Sequence, residues 1–200
     1  MRKVLAFLVI LVSLDALGQV ALKTEGQDPQ YVETIKGRAQ KIVDGLQLTD
    51  AKKAENVRNI IANRYFLLND IHSKYGKDQQ DALYAELYKH HFELASALSL
   101  YLNEEQIDAV KDGMTYGRLK RDYNAQLDMI PTLTEEEKAQ ILIWLKEARE
   151  YAMDAADSKG KHFWFDKYRG RTNNWLSARG YDLKKEREAW MKRTEEAKKQ

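Results

Sequence analysis

The residues of this sequence that could do chemistry concentrate between His162 and Asp182, in the stretch HFWFDKYRGRTNNWLSARGYD. The stretch holds two Trp, two Phe, two Tyr, three Arg and two Asn. An indole ring can pack flat against the C–H face of a sugar, and the planar guanidinium of Arg pairs with a carboxylate through two hydrogen bonds. These residue types predict a surface that binds an oligosaccharide, and an acidic one better than a neutral one.

Two glycines, Gly160 and Gly170, interrupt the helical pattern of this stretch. We therefore expect His162 to Arg169 to form an irregular segment, followed by about two helical turns. Those turns should begin near Thr172 and end at Gly180, because glycine readily takes the left-handed conformation of a helix end.

In such a short helix, Arg171, Trp175 and Arg179 stand four residues apart and share one face. Indoles would act as stacking platforms, cations would hold anionic groups, and amides and a phenol would orient hydroxyls. The predicted ligand-binding residues are Trp164, Lys167, Arg169, Arg171, Asn173, Asn174, Trp175, Arg179 and Tyr181.

The same stretch also has a purely structural interpretation. Aromatic side chains at helical spacing are usually buried, so the Phe and Trp residues could close one end of the hydrophobic core. The arginines would then bridge to acidic helices, since residues 101–158 carry 13 acidic and 7 basic side chains, whereas residues 159–200 carry 6 and 13. Both interpretations remain open, because binding sites are commonly set on a rigid scaffold.

A catalytic role for the stretch depends on its carboxylates. Glycoside cleavage needs two of them, or a base beside a cation that neutralises a uronate. Asp166 is the best candidate acid or base, but no second carboxylate is fixed at the required separation, so the sequence favours binding over catalysis. Adjacent His90 and His91 point about 100° apart on a helix and Cys is absent, so we expect no metal site. No cofactor motif is present.

Helical periodicity runs through most of the chain and predicts an all-α fold. Apolar residues recur at three- and four-residue spacing after Pro29, Asp50 and Thr134, where helix-capping residues stand. We expect one helix to carry Leu83 to Leu98 and another to run from Asn103 to near Pro131. Short joints and five to six helices predict a single-domain bundle over residues 19–200, with a terminal helix at 183–200. Whether this helix frays after residue 190 is left open by the sequence.

The N-terminus has the features of a secretory signal peptide. A basic pair, Arg2 and Lys3, precedes an apolar run from Val4 to Leu14, and Ala16-Leu17-Gly18 supplies small residues for cleavage. The sequence predicts a signal peptide at residues 1–18, export to the periplasm or beyond, and no membrane span after cleavage; a short retained membrane anchor is the alternative. A basic C-terminal segment can indicate nucleic-acid binding, but an exported protein rarely meets nucleic acid, so we expect no such partner.

Several motifs are similar to those of one family. They are VKDGMTYG at 110–117, DMIP at 128–131, AREYAMDA at 148–155, KYRGR at 167–171 with the following Asn pair, LSA at 176–178 and GYD at 180–182. The chain resembles a domain-of-unknown-function family described as sugar-binding, whose members are exported by polysaccharide-degrading Gram-negative bacteria. The resemblance implies a helical periplasmic protein near glycan-degradation machinery, for pectin-like substrates, and it supplies no catalytic residues.

A third functional class comes from the helix starts. Leu48-Thr49, Leu102-Asn103 and Leu133-Thr134 are each followed by polar residues, and such starts before Glu-rich helices resemble small periplasmic chaperones or stress sensors. The sequence ranks this class below sugar binding, because four Trp and eleven Tyr residues indicate a well-defined core.

Overall fold

The computed structural model describes residues 18–198, and over this range every regular element is an α-helix. The predicted signal peptide lies outside the described residues, except for Gly18. The helices, in chain order, are α1 Pro29–Gly45, α2 Ala51–Lys74, α3 Gln80–His90, α4 Glu93–Leu98, α5 Glu104–Met114, α6 Arg118–Met129, α7 Glu135–Met153, α8 Ser158–Ala178 and α9 Leu183–Ala197. None of these described helices is both long enough and apolar enough to cross a bilayer.

The helix starts confirm the capping chemistry predicted from the sequence. At α7, the Thr134 hydroxyl accepts from the Glu137 N–H at 3.2 Å, and the Glu137 carboxylate accepts from the Thr134 N–H at 2.9 Å. Asn103 and Gln106 exchange the same pair of bonds at α5. Each of these reciprocal pairs, known as a capping box, satisfies N–H groups that have no partner inside the helix. The capping box therefore fixes where the helix begins.

The expected number of five to six helices is too low, because two of the predicted helices are each broken in two. The helix expected over Leu83 to Leu98 is interrupted at His91 and Phe92, which separate α3 from α4. The helix expected from Asn103 to Pro131 is interrupted where Tyr116 and Gly117 take positive φ values of 61° and 62°. Two successive left-handed residues cannot continue a right-handed helix, so α6 leaves in a new direction.

The expected irregular segment at His162 to Arg169 is wrong, because α8 runs unbroken through both glycines. Gly160 lies in its first turn, where the Asp157 side chain caps it, and Gly170 lies in its middle. Glycine costs a helix about 1 kcal/mol relative to Ala, and the buried stripe that packs on α7 outweighs this cost. That stripe contains Lys161, Phe165, Tyr168, Thr172 and Leu176.

Beyond residue 190, where the sequence left fraying open, α9 continues to Ala197. Two contacts hold this helix against the end of α6. The indole N–H of Trp190 donates to the Asp128 carboxylate, and the Arg193 guanidinium donates to the Asp128 carbonyl at 2.7 Å. No residue of α9 is fully buried, and its apolar contact with the core is made by the half-buried Leu183 in its first turn.

Two large hydrophobic clusters divide the described residues into halves, and a third, smaller cluster packs α3 on the end of α2. The first is built by α1, α2, α4 and α5, with Ile35, Val57, Ile61, Leu98 and Met114 at its centre. The second is built by α6, α7 and α8, with Ile130, Ile141, Ala148, Phe165 and Leu176 at its centre. A polar layer joins the halves. The buried Arg149 of α7 donates to Asp108 and Asp112 of α5, both at 2.7 Å.

Candidate functional site

A groove with a volume of about 950 Å³ opens between the two halves. The end of α2, the whole of α3 and the α3–α4 joint form one wall, and the facing parts of α7 and α8 form the other. Its lining is dominated by aromatic rings, and we call it the aromatic groove. The rings belong to Tyr75, Tyr84, Tyr88, Phe92, Tyr151, Phe163 and Trp164.

Several of these rings are exposed to an extent that a core role does not explain. Tyr88 is 69% exposed, Phe92 63% and Phe163 58%. Tyr88 and Phe92 stand four residues apart, with ring centroids at 6.0 Å and an edge-to-face geometry. Contiguous exposed apolar surface of this kind usually marks an interaction site, so the groove is the part of the described chain best suited to hold a ligand.

The α8 wall of the groove is built on a stacked pair. The rings of Tyr151 and Trp164 are 4.6 Å apart and 19° from parallel, and Phe163 meets Trp164 edge-on at 5.6 Å. Because α7 and α8 pack along their length, this pair is fixed in position before any ligand arrives. The wall is therefore a preformed surface, which lowers the entropic cost of binding.

A charged cluster forms the floor of the groove. The His91 ring is 2.6 Å from the Asp154 carboxylate through Nδ1 and 3.6 Å from the Glu150 carboxylate through Nε2. The hydrogen bond to Asp154, followed by that to Glu150, raises the pKa of His91 to about 9, so the ring is a cation at neutral pH. Arg64 adds a second cation, which donates to Asp154 from the buried side.

The carboxylates of the groove are all engaged by neighbouring groups. Burial would raise the pKa of Glu150, but hydrogen bonds from His91 and Lys111 lower it to about 2. Glu147 pairs with Arg171 at 3.4 Å, and Asp157 caps α8. The groove therefore has little uncompensated negative charge. No group of three or more acidic or histidine side chains in the described range could hold a metal ion.

Two lysines at the groove have no such compensation. Lys77, in the α2–α3 loop, and Lys167, on α8, both line the cavity. Neither lysine forms an ion pair with any residue between 18 and 198. The Nζ of Lys167 instead lies 4.7 Å from the centroid of the Trp164 ring. A cation poised over an indole beside an open groove is suited to meet an anionic ligand.

Of the nine residues predicted to bind a ligand, Trp164 and Lys167 line the aromatic groove. Two others, Arg169 and Asn173, lie on the other flank of α8 and line a second cavity. Asn174 is exposed and lines neither cavity. The predicted surface is therefore divided by the helix that carries it, because residues at these spacings point in different directions once α8 is continuous.

The remaining predicted residues lie along the seam between α7 and α8, where each contacts a side chain of α7. Arg171 lies over Trp144 at 4.7 Å rather than over Trp175, and Trp175 meets Trp144 edge-to-face at 5.1 Å. Arg179 lies over Trp175 and pairs with Glu137 at 3.1 Å. The indole and guanidinium groups of the seam thus have partners within the fold.

At the end of this seam, the Glu137 carboxylate accepts hydrogen bonds from three residues. Tyr181 donates to its carboxylate at 2.7 Å, beside the bonds from Thr134 and Arg179. The Thr134 N–H is the largest of the influences that lower the pKa of Glu137 to about 2. A carboxylate with this many donors is a structural anchor, and it ties the C-terminal end of α8 to the first turn of α7.

Asp166, the predicted acid or base, lies away from both cavities. Its Oδ1 accepts from the buried Arg118 at 2.6 Å, and Arg169 lies within 3.3 Å of the same atom. A carboxylate that pairs with two guanidiniums joins α6 to α8, and it lines neither the aromatic groove nor the second cavity.

The α3 wall of the groove was not predicted from the sequence. The leucines of this helix indicate its buried face, whereas the signal for the opposite face is the spacing of Tyr84, Tyr88 and Phe92, which stand four residues apart. His91 was not predicted either, because its partners Glu150 and Asp154 lie about 60 residues away in sequence. No local pattern could have identified that cluster.

Comparison with curated proteins finds no match to the chain. By contrast, a family profile matches residues 32–80 and 76–196, which together run from α1 to the end of α9. The matched residues include every helix that lines the aromatic groove. The chain belongs to the family described as "Protein of unknown function (DUF3826)".

Proposed function

We propose that the protein binds an oligosaccharide in the aromatic groove and acts as an exported accessory protein of glycan utilisation. The observation that carries this proposal is the set of exposed rings on both walls of one cavity. Sugar rings present flat C–H faces that pack on aromatic rings, and a cavity of about 950 Å³ is within the size range of ligand sites.

The charges of the groove favour an acidic oligosaccharide of the pectin type. Glu147, Glu150 and Asp154 are each paired with a cation, so an incoming carboxylate meets little repulsion. Lys77 and Lys167 stand at the same cavity without an ion-pair partner in the described range. Tyr151 stacks on the Trp164 ring, and the ammonium of the exposed Lys167 also lies over that ring. A uronate that displaces the Lys167 side chain would lie on the indole with its carboxylate beside that ammonium.

The floor of the groove supports orientation of sugar hydroxyls. Carboxylate oxygens can each accept more than one hydrogen bond, so Glu150 and Asp154 can accept from hydroxyls while their ion pairs remain intact. His91 and Arg64 hold these carboxylates in place. Between the two aromatic walls, these fixed acceptors would bind the hydroxyls at the edge of a sugar ring, while the aromatic rings pack against its flat C–H face.

The geometry favours binding over cleavage. A general acid works best with a pKa near the operating pH, and the pKa of Glu150 is about 2 because of His91 and Lys111. Asp166, the alternative catalytic residue, lines neither cavity.

A chaperone is the second candidate function, because the exposed rings of Tyr88 and Phe92 also suit an apolar peptide.

Isothermal titration calorimetry with trigalacturonate tests the proposal. We expect saturable binding by the purified protein, with the trisaccharide recovered intact. Replacing Trp164 by Ala should weaken binding roughly tenfold or more, which corresponds to about 1.4 kcal/mol. Lys167→Met should weaken the binding of trigalacturonate more than the binding of a neutral trisaccharide. Lys159 is also on α8 but does not line the groove, so Lys159→Met should change neither affinity.

Three results would contradict the proposal. Binding that Trp164→Ala leaves unchanged would place the site elsewhere. New reducing ends or unsaturated products would indicate an enzyme. Suppression of the aggregation of an unrelated protein, unaffected by saturating trigalacturonate, would indicate a chaperone that uses the same rings for peptides.

A further inference from the structure

A second cavity, with a volume of about 660 Å³, lies on the other flank of α8. It is enclosed by α6, α7, α8 and α9, and we call it the α9 cavity. Its apolar floor is formed by Met129, Ile141 and Leu145, and the half-buried Trp190 stands at its α9 side. The aromatic groove and the α9 cavity share no lining residue.

Two amide side chains of the α9 cavity have unpaired buried atoms. Gln126 is 9% exposed, and its Nε2 has no hydrogen-bond partner among residues 18–198. The same is true of Oδ1 of Asn173. Folded proteins rarely leave such atoms unpaired, and a specific exception in a native structure calls for a reason. Here a donor and an acceptor lie in the walls of one cavity, where a bound polar molecule could satisfy both after small rotations of the amides.

The cavity is also positively charged. Lys184 and Arg187 stand three residues apart on α9, line the cavity and have no ion-pair partner in the described part of the chain. Arg169 adds a third cation from α8. The acid that lines the cavity, Asp122, is already held by the Arg118 Nε at 3.2 and 2.9 Å. An anion entering here would meet Lys184 and Arg187, which no acid of the described chain neutralises, and Arg169, which pairs with Asp166 at 3.3 Å.

The ring of Trp190 completes the set. Its N–H donates to Asp128 at the end of α6, which fixes the indole plane at the cavity. A fixed indole offers a flat apolar surface, an Arg fork offers two parallel donors for a carboxylate, and two amides offer a donor and an acceptor for hydroxyls. These are the groups that a small ring with one carboxylate and several hydroxyls requires.

We propose that the α9 cavity is a separate binding site for a monomeric sugar acid. The carboxylate is held by Arg187 and Lys184, the ring lies against Trp190, and hydroxyls pair with the amides of Gln126 and Asn173. This site is independent of the oligosaccharide groove, since it lies on the opposite flank of α8 and uses different residues.

Titration of the full protein with galacturonate tests the site, with galactose as the neutral analogue and acetate as the anion without hydroxyls. We expect saturable galacturonate binding, at least tenfold weaker galactose binding, and no saturable acetate binding. Arg187→Gln should weaken the binding of galacturonate at least tenfold. The matched control is Lys185→Gln, because Lys185 stands two residues before Arg187 on α9 and pairs with Asp182 outside the cavity.

A second variant separates binding from folding. Gln126→Leu removes an amide whose nitrogen has no partner in the described structure, so the melting temperature should not fall, yet galacturonate binding should be lost. Equal binding of galacturonate and galactose, or full binding by both Arg187→Gln and Gln126→Leu, would overturn the inference. Loss of galacturonate binding in Trp164→Ala would also overturn it, because that result would locate the monosaccharide in the aromatic groove.

Discussion

The guanidinium carbon of Arg179 lies 4.5 Å from the centroid of the Trp175 ring. The sequence analysis expected both groups to face a ligand, but the structure shows them facing each other. Trp144 approaches the same indole edge-to-face, and Glu137 holds the guanidinium. Trp175 is therefore a structural residue of the α7–α8 seam, whereas Trp164, eleven positions earlier, stands at an open groove.

Replacement of Trp175 by Ala should lower the free energy of unfolding by about 2–4 kcal/mol, because a half-buried indole loses packing and leaves Arg179 without its partner ring. Urea denaturation followed by circular dichroism measures the change. Trigalacturonate affinity should stay within about twofold of the parent protein. A stable Trp175→Ala protein that no longer binds the sugar would reverse the assignment of the two indoles.

Gly170 should be replaceable with a gain in stability. It lies in the middle of α8, and a Cβ added there would meet nothing within 4 Å. Alanine restricts the unfolded chain and favours the helix, so Gly170→Ala should raise the free energy of unfolding by roughly 0.5–1 kcal/mol. A loss of stability would mean that α8 is not continuous at this point.

Gly113 provides the matched contrast, because α1 crosses α5 there. A Cβ at this position would lie 3.0 Å from Cγ1 and 3.1 Å from Cγ2 of Ile42. Gly113→Ala should therefore lower the unfolding free energy by about 1–3 kcal/mol through overpacking. Ile42→Ala removes both Cγ atoms, so a smaller effect of Gly113→Ala in that background, measured by thermal denaturation, would confirm that the contact is the cause.

These two glycines show what the sequence could and could not predict. The caps at Thr134 and Asn103 and the all-α class depend on neighbouring residues, so local patterns were sufficient. Gly170 looks like a helix breaker locally, and only the packing of α8 on α7 overrides that preference. The division of the predicted site into groove, seam and α9 cavity follows from the same long helix, whose continuity no local pattern revealed.

The pH dependence of stability should report on His91. Its pKa is raised from 6.5 to about 9 by Asp154 and Glu150, so the folded state binds the proton more tightly than the unfolded state. This contribution is complete below pH 6.5 and is lost as the pH rises through about 9. His91→Gln should be less stable than the parent at pH 6 and should lose less stability between pH 6.5 and 9.5. Parallel curves for the two proteins would exclude His91 as the origin.

The polar layer between the halves should be sensitive to one residue. Arg149 is 3% exposed and bonds two aspartates of α5. Arg149→Ala leaves those carboxylates without their cation, so we expect a loss of about 3–5 kcal/mol in unfolding free energy. Lys138→Ala, which breaks the exposed pair with Glu135, should cost less than about 1 kcal/mol. Similar values for both variants would show that the layer does not hold the halves together.

The central claim is that an oligosaccharide lies against Trp164 in the aromatic groove. Fluorine NMR of protein labelled with 5-fluorotryptophan, with resonances assigned through single Trp→Phe variants, observes each indole separately during a titration with trigalacturonate. We expect a saturable shift of the Trp164 resonance, while the resonances of Trp144 and Trp175 stay within their linewidths. A Trp164 resonance that remains in place at saturation, or a shift confined to the α7–α8 seam, would contradict it.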